Sequence, residues 1–309
     1  MSRRPLWLVA LFAVSCHTVI GYEESKRRPD AGPDSSLGGA GGAGGSTSVS
    51  DSAAGTAGDA GGGGGAAGEA GPSLCDDGPT MVTVAGGGTP FTIHSTEVTR
   101  CQYARFLATE PTQTVHLDVC SWNVDFAPGE SCVDGEGQVA GNYPRNCVDW
   151  CDAAQYCEYV GMRLCGSKSG GPSTETDADD ATVDQYYDAC TSFGAHNYPY
   201  GGDPEVSSDD GYQPDACNGI DHGLNKALPV AALTTCQSSV QGYEGVFDLS
   251  GNLMEWEDLC FNDGATHRED TCSLRGGSHD ASYSKLRCRD STDASRLTQD
   301  AQVGFRCCG

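Results

Sequence analysis

The stretch Gly245-Val246-Phe247-Asp248-Leu249-Ser250-Gly251-Asn252-Leu253-Met254-Glu255-Trp256 carries the most information about the fold. By residue type alone it is a Gly-containing turn that leads into a strand, with Glu255 solvated and Trp256 in a core. The same texture extends on both sides. From Leu74 onward aromatics, β-branched residues and cysteines occur together, and Gly, Asn and Asp recur often enough to keep regular elements short. Phe91-Thr92-Ile93 alternates like a strand, and Thr99 to Leu107 places apolar residues at helical spacing. Val148 to Val160 is the best helix candidate, because Trp150, Ala153, Ala154, Cys157 and Val160 fall on one face. Much of the remainder reads as loop.

Upstream the composition changes. Ala31 to Ser73 is almost entirely Gly, Ala, Ser, Thr and Asp, with Leu37 and Val49 as its only larger apolar residues, and such a segment cannot bury a core. As a Gly-rich coil of roughly 43 residues it has an r.m.s. reach of about 35–40 Å, which suits a tether. Before it, Arg3 and Arg4 precede the apolar run Leu6 to Val14, an export signal too short to span a membrane. Ala13-Val14-Ser15-Cys16 resembles the lipobox of bacterial lipoproteins, with Ala13 in place of the favoured Leu. This implies lipidation at Cys16; the alternative is cleavage elsewhere, with Cys16 lost. The expected organisation is therefore a signal with lipobox over residues 1–16, a linker over 17–73 and one folded domain over 74–309.

Of the 17 cysteines, those other than Cys16 are even in number. In an exported chain disulfides are the default, because no reductant pool keeps the thiols free. Zinc is the competing reading, but Cys147-x3-Cys151 and Cys307-Cys308 do not form two CxxC pairs. A net charge of −25 argues against nucleic acid, which is bound through Lys and Arg that displace counterions. Acidity suits solubility and divalent cations better.

Several segments resemble, in order, the formylglycine-generating (sulfatase-modifying) enzyme family. They are Phe91 to Tyr103 with its Glu97-Val98-Thr99, then Cys147 to Cys157 followed by Gly161-Met162-Arg163-Leu164, Tyr198-Pro199-Tyr200-Gly201, Cys217-Asn218, Pro229-Val230, Gly245 to Trp256, Arg275-Gly276-Gly277-Ser278 and Gly304-Phe305-Arg306-Cys307. The resemblance covers roughly Met81 to Gly309. It implies a disulfide-rich α+β fold with little regular secondary structure, a variant of the C-type-lectin fold. It also implies two disulfides, Cys157 with Cys307 and Cys190 with Cys288. Cys260 and Cys272 flank a polar loop whose closure would add the entropic benefit of a third.

The resemblance implies sites as well. Asp248, Gly251, Leu253 and Glu255 match a structural Ca²⁺ site in which the outer two give side-chain oxygens and the inner two backbone carbonyls, a donor set that suits a hard cation. Asn218, with Gly219 beside it, matches a second calcium site whose remaining ligands are unassigned; Asp221 is a candidate. The family's oxidation of a substrate cysteine to formylglycine depends on two cysteines that bind Cu(I) shortly after Arg-Gly-Gly-Ser. Here Ala281 stands where the first is expected, and no cysteine follows before Cys288, which matches a structural disulfide position. Copper is therefore not expected, and no catalytic residue is assigned. His279 and Asp280 read as solvated polar surface, and Arg275, Arg287, Arg289 and Arg306 as members of internal ion pairs. There is no Gly-x-Ser-x-Gly elbow, phosphate loop or HExxH.

The expected function is a calcium-stabilised binding or accessory module, with an unidentified protein or small molecule as ligand and membrane contact only through the lipid anchor. The alternative is an active family oxidase with unconventional metal ligands.

Overall fold

The computed structural model describes residues 78–112, 118–130, 141–205 and 211–309, which fall within the compact unit Gly65–Gly309. The export signal, Cys16 and the Gly-rich linker lie outside the described residues. Among the described residues the regular structure is two four-stranded sheets, three short α-helices and one 3₁₀ turn.

In the first sheet β1 (Met81–Val84) and β2 (Phe91–His94) form an antiparallel hairpin, and the order continues through β8 (Cys307–Cys308) to β3 (Arg163–Leu164). The second sheet runs β6 (Ser291–Ser295), β5 (Thr271–Arg275), β4 (Met254–Cys260) and β7 (Val303–Phe305). Only the β4–β7 pair is parallel. The chain enters the first sheet at one end and returns to it with its last strand, so β8 lies between elements more than 140 residues upstream in sequence.

Thr99 caps α1 (Arg100–Leu107), its side chain accepting from Gln102 N while the Gln102 side chain accepts from Thr99 N, a reciprocal capping box. Asp149 and Asp152 do the same for α2 (Trp150–Tyr159). The apolar face expected of this helix is buried, but Cys151, Asp152, Gln155 and Tyr156 are buried too. The helix is therefore enclosed rather than amphipathic. Asp152 is tolerated inside because Asn123 and Gln299 also donate to it. A third helix, α3 (Gln185–Thr191), starts at the Asp184 cap.

Packed between α1, α2 and the second sheet are Tyr103, Phe106, Tyr156, Trp256 and Phe305, with edge-to-face contacts such as Tyr156 to Phe305 at 5.4 Å between centroids. A smaller cluster joins Val84, Ile93, Tyr186, Tyr243 and Leu249. Six disulfides join described cysteines: Cys120–Cys151, Cys157–Cys307, Cys165–Cys308, Cys190–Cys288, Cys217–Cys236 and Cys260–Cys272. This density is consistent with an oxidising, extracellular or periplasmic location. No helix among the described residues is long and apolar enough to cross a membrane.

Candidate functional site

Two glycines turn the chain out of β5, with φ of 85° at Gly276 and 68° at Gly277. A Cβ on Gly276 would lie 2.6 Å from the Tyr186 hydroxyl oxygen, and one on Gly277 2.6 Å from the Lys285 carbonyl oxygen, so both conformation and space demand glycine here. The loop beyond runs through Ser278, His279, Asp280 and Ala281 to Cys288, which is bonded to Cys190 on α3.

Asp280 is exposed yet held in place. Ser278 Oγ donates to one carboxylate oxygen at 2.5 Å and Gln302 Nε2 to the other at 2.7 Å. Partial burial pushes its carboxyl up, but these hydrogen bonds and the neighbouring His279 outweigh that and hold it below the ordinary value. Both the His279 backbone N and its Nδ1 reach the Asn252 carbonyl, at 3.0 and 3.2 Å. A carbonyl only accepts, so both of these nitrogens act as donors to it. A mainly apolar cavity of about 290 Å³ is lined by Met254, Leu274, Ser278, Asp280, Ala281 and Lys285 among others. The loop thus presents a hydrophobic recess with a fixed carboxylate at its edge, an arrangement suited to binding.

Next to this loop the predicted calcium residues meet a buried cluster of acids. Glu255 is fully buried rather than solvated, and both its oxygens accept from Arg306, at 2.6 Å from Nε and 2.7 Å from Nη2. Arg306 also donates to the carbonyls of His94 and Phe247. Asp248 adopts a φ of 58° and accepts from Ala231 N at 2.6 Å. Glu97, which the motif reading left out of the site, is buried beside them and accepts from Asn252 Nδ2 at 2.9 Å. Burial foremost, then the Asp248 and Glu255 charges, push the Glu97 carboxyl well above the usual range. Burial likewise raises Asp248 to about 6. Three carboxyls face one guanidinium, and Glu97 Oε2 meets no protein donor. A proton shared with Asp248 or a cation satisfies it equally well.

The donor chemistry here is all oxygen, and the excess of acid over base favours a hard cation. Glu255 fits least, because Arg306 already occupies both of its oxygens. No group of three or more His, Cys, Asp or Glu side chains among the described residues is arranged to hold a metal, so a cation would depend on the carbonyls of Gly251 and Leu253.

Asn218 is buried, and its Nδ2 donates to Lys226 O and Asn252 Oδ1 at 3.0 Å each, while its Oδ1 has no protein donor. Gly219 follows at the start of the 3₁₀ turn Ile220–His222. Asp221 is exposed and accepts from the Tyr212 hydroxyl. Asn252 ties these parts together, because its side chain bridges Glu97, Asn218 and Leu228 while its carbonyl holds His279. Its place between Gly251 and Leu253 was the only signal for that role. Of the four arginines expected in ion pairs, Arg306 pairs with Glu255 and Arg275 with Glu257 and Asp179; Arg287 lies over the Tyr283 ring, and Arg289 borders a polar cavity with His196.

Short sheets, enclosed helices and a dense set of disulfides leave the loops to form the sites, which defines a class of α+β scaffold that varies its chemistry by loop sequence. The family model for the sulfatase-modifying factor enzyme 1-like domain matches residues 83–309. The chain belongs to this family, and its fold is the disulfide-rich α+β fold of formylglycine-generating enzymes. Similar solved structures include CarF, at 18% identity and a TM-score of 0.47 over 74% of this chain and 97% of that one. PvdO from Pseudomonas aeruginosa matches at 18% identity and a TM-score of 0.48, over 75% of this chain and 91% of its own. Treponema denticola variable protein 1 matches at 16% and 0.41, over 74% and 99%. No curated protein matches the chain.

Proposed function

We propose that this is an exported, membrane-tethered member of the family that lacks the copper-binding cysteines and serves as a calcium-stabilised binding or accessory module. The observation that carries this reading is the segment after Arg-Gly-Gly-Ser. Ala281 lines the cavity there with a methyl group, and the next cysteine, Cys288, has its sulfur in the disulfide to Cys190. Cu(I) prefers soft thiolates, and the donors around this loop are carboxylate, imidazole, hydroxyl and amide. They do not fit that ion.

Ca²⁺ at Asp248, Gly251, Leu253 and Glu255, with a second ion at Asn218 and Gly219, would hold together the loops that Asn252 bridges. The unsatisfied Asn218 Oδ1 and Glu97 Oε2 support this. Lipidation at Cys16 would supply the tether. An oxidase with unconventional ligands has in its favour only the cavity edged by Asp280, with His279 alongside in the loop.

The test is to incubate the purified full chain with Cu(I), oxygen and a cysteine-containing sulfatase peptide and to look for formylglycine by mass spectrometry. No conversion is expected. Conversion, together with copper retained at one ion per chain, would establish the oxidase.

A further inference from the structure

A row of tyrosines lies beside the Ala281 loop. Tyr200 stacks on Tyr198 with ring centroids 5.3 Å apart and planes 4° apart; Tyr212 leans on Tyr198 at 5.6 Å, and Tyr283 on Tyr212 at 5.8 Å. Tyr198 is buried and anchors the row, its hydroxyl donating to the Tyr283 carbonyl at 3.0 Å. The outer members reach the surface: Tyr283 is 41% exposed, and nearby Ile220, whose N donates to Ala281 O, is 45% exposed. Exposed aromatic and apolar side chains gathered in one place mark a contact surface more often than chance surface.

The charge around this row is mainly acidic. From Ser169 to Asn225 the chain contains no Lys or Arg, while Asp203, Glu205, Asp215 and Asp221 are all exposed. Asp215 has 91% of its side chain in solvent, with His222 Nδ1 3.7 Å from its carboxylate, and Asp221 accepts from the Tyr212 hydroxyl at 3.0 Å. A phenol that donates to a carboxylate has a more electron-rich ring, which strengthens its hold on a cation. The platform already carries one, since the Arg287 guanidinium sits 5.8 Å from the Tyr283 ring centre. The row also has length. From Tyr212 to Tyr283, 5.8 Å between ring centres, the surface spans about two residues of extended chain, at roughly 3.3–3.6 Å each. A single small cation would use only one end of it.

We propose that this surface docks an extended, Arg- and Lys-bearing segment of a partner polypeptide, with its cations over Tyr212 and Tyr283 and against the carboxylates of Asp215 and Asp221. The proposal rests on the binding-module reading and names the partner's chemistry. Anionic ligands are repelled here. A neutral glycan would use the rings but gain nothing from the charges.

The probes are a ten-residue peptide of alternating Gly and Arg, its Lys and Glu counterparts, and a neutral hexasaccharide, each titrated into the full chain. The Arg peptide is expected to bind more tightly than the Lys peptide, because guanidinium stacks on rings as well as pairing with carboxylates. Its affinity should fall as salt rises. Tyr212→Ala and Tyr283→Ala should each weaken it about five- to tenfold, and Tyr283→Phe should not. Asp215→Asn, on a side chain 91% exposed, should reduce the salt dependence. Equal binding by wild type and the tyrosine variants would reveal mere attraction to an acidic protein and overturn the proposal. Absence of Arg-peptide binding, or binding of the hexasaccharide in its place, would overturn it as well. Formylglycine production would refute the preceding reading without changing these affinities, so the two failures are distinguishable.

Discussion

His94 lies in β2 with its ring enclosed, and neither ring nitrogen meets a hydrogen-bond partner. Burial first, then the Arg306 charge, lower its pKa to about 3. An unfolded His titrates near 6.5, so between those values the unfolded chain binds more protons than the folded one. The stability that His94 allows is present above about pH 6.5 and is lost as pH falls towards about 3. Asp149 acts in the opposite sense, because burial raises it to about 6 and stability falls as pH rises through that window. Comparing wild type with His94→Leu isolates the histidine. Between pH 7 and pH 5 the difference in unfolding free energy, from urea titrations, should move in the variant's favour by about 2 kcal/mol. A pH-independent difference would mean that His94 takes up its proton over the same pH range in the folded and unfolded chain. Gly276→Ala forces a Cβ against the Tyr186 hydroxyl at positive φ and should cost about 2–3 kcal/mol by the same titration, where an exposed Gly-to-Ala change would cost nothing. That glycine was legible in the Arg-Gly-Gly-Ser motif. Glu97 and Asn252 were not legible as site residues, because what makes them so is their meeting across 155 positions of sequence.

Elements were legible where their own residues specify them. Phe91-Thr92-Ile93 became β2, and the Thr99 and Val148 segments became α1, shorter by one residue at its start, and α2, shorter by two at its start and one at its end. By contrast, α3 shows no apolar period in Gln-Tyr-Tyr-Asp-Ala-Cys-Thr. It forms because Asp184 caps it and Cys190 is bonded to Cys288. Polar β6 is a strand only because β5 offers it a ladder. Disulfides should divide along the same lines. Cys157–Cys307 joins α2 to β8 across 150 residues, whereas Cys260–Cys272 closes a 12-residue loop between strands already paired at those two positions. Chain entropy gives about 5 kcal/mol for the first and about 3 kcal/mol for the second. Replacing each pair by Ser and measuring the denaturation midpoint should therefore show the larger loss for Cys157/Cys307. An equal or reversed order would mean that the unfolded chain already holds those segments near each other.

At the scale of the molecule, a net charge of −25 repels itself, and any cation relieves this to some degree. Stabilisation by calcium is therefore evidence for a site only if screening is held constant. In 150 mM NaCl the Debye length is about 8 Å, and adding about 1 mM CaCl₂ changes it negligibly. A bound ion, however, stabilises by mass action, by about 2.7 kcal/mol at a hundred times its dissociation constant. For a domain of this size that is a rise in melting temperature of roughly 5–10 °C. The expected result is such a rise with Ca²⁺ in 150 mM NaCl, its reversal by chelator, and little effect of equal Mg²⁺, which dehydrates reluctantly and demands octahedral geometry. Asp248→Asn should abolish the rise while the protein still folds, because an amide keeps the hydrogen bond from Ala231 N but lowers the charge. If Ca²⁺ and Mg²⁺ act alike and Asp248→Asn responds as wild type does, then the buried acids are neutralised by Arg306 and a shared proton, and the scaffold stands without metal.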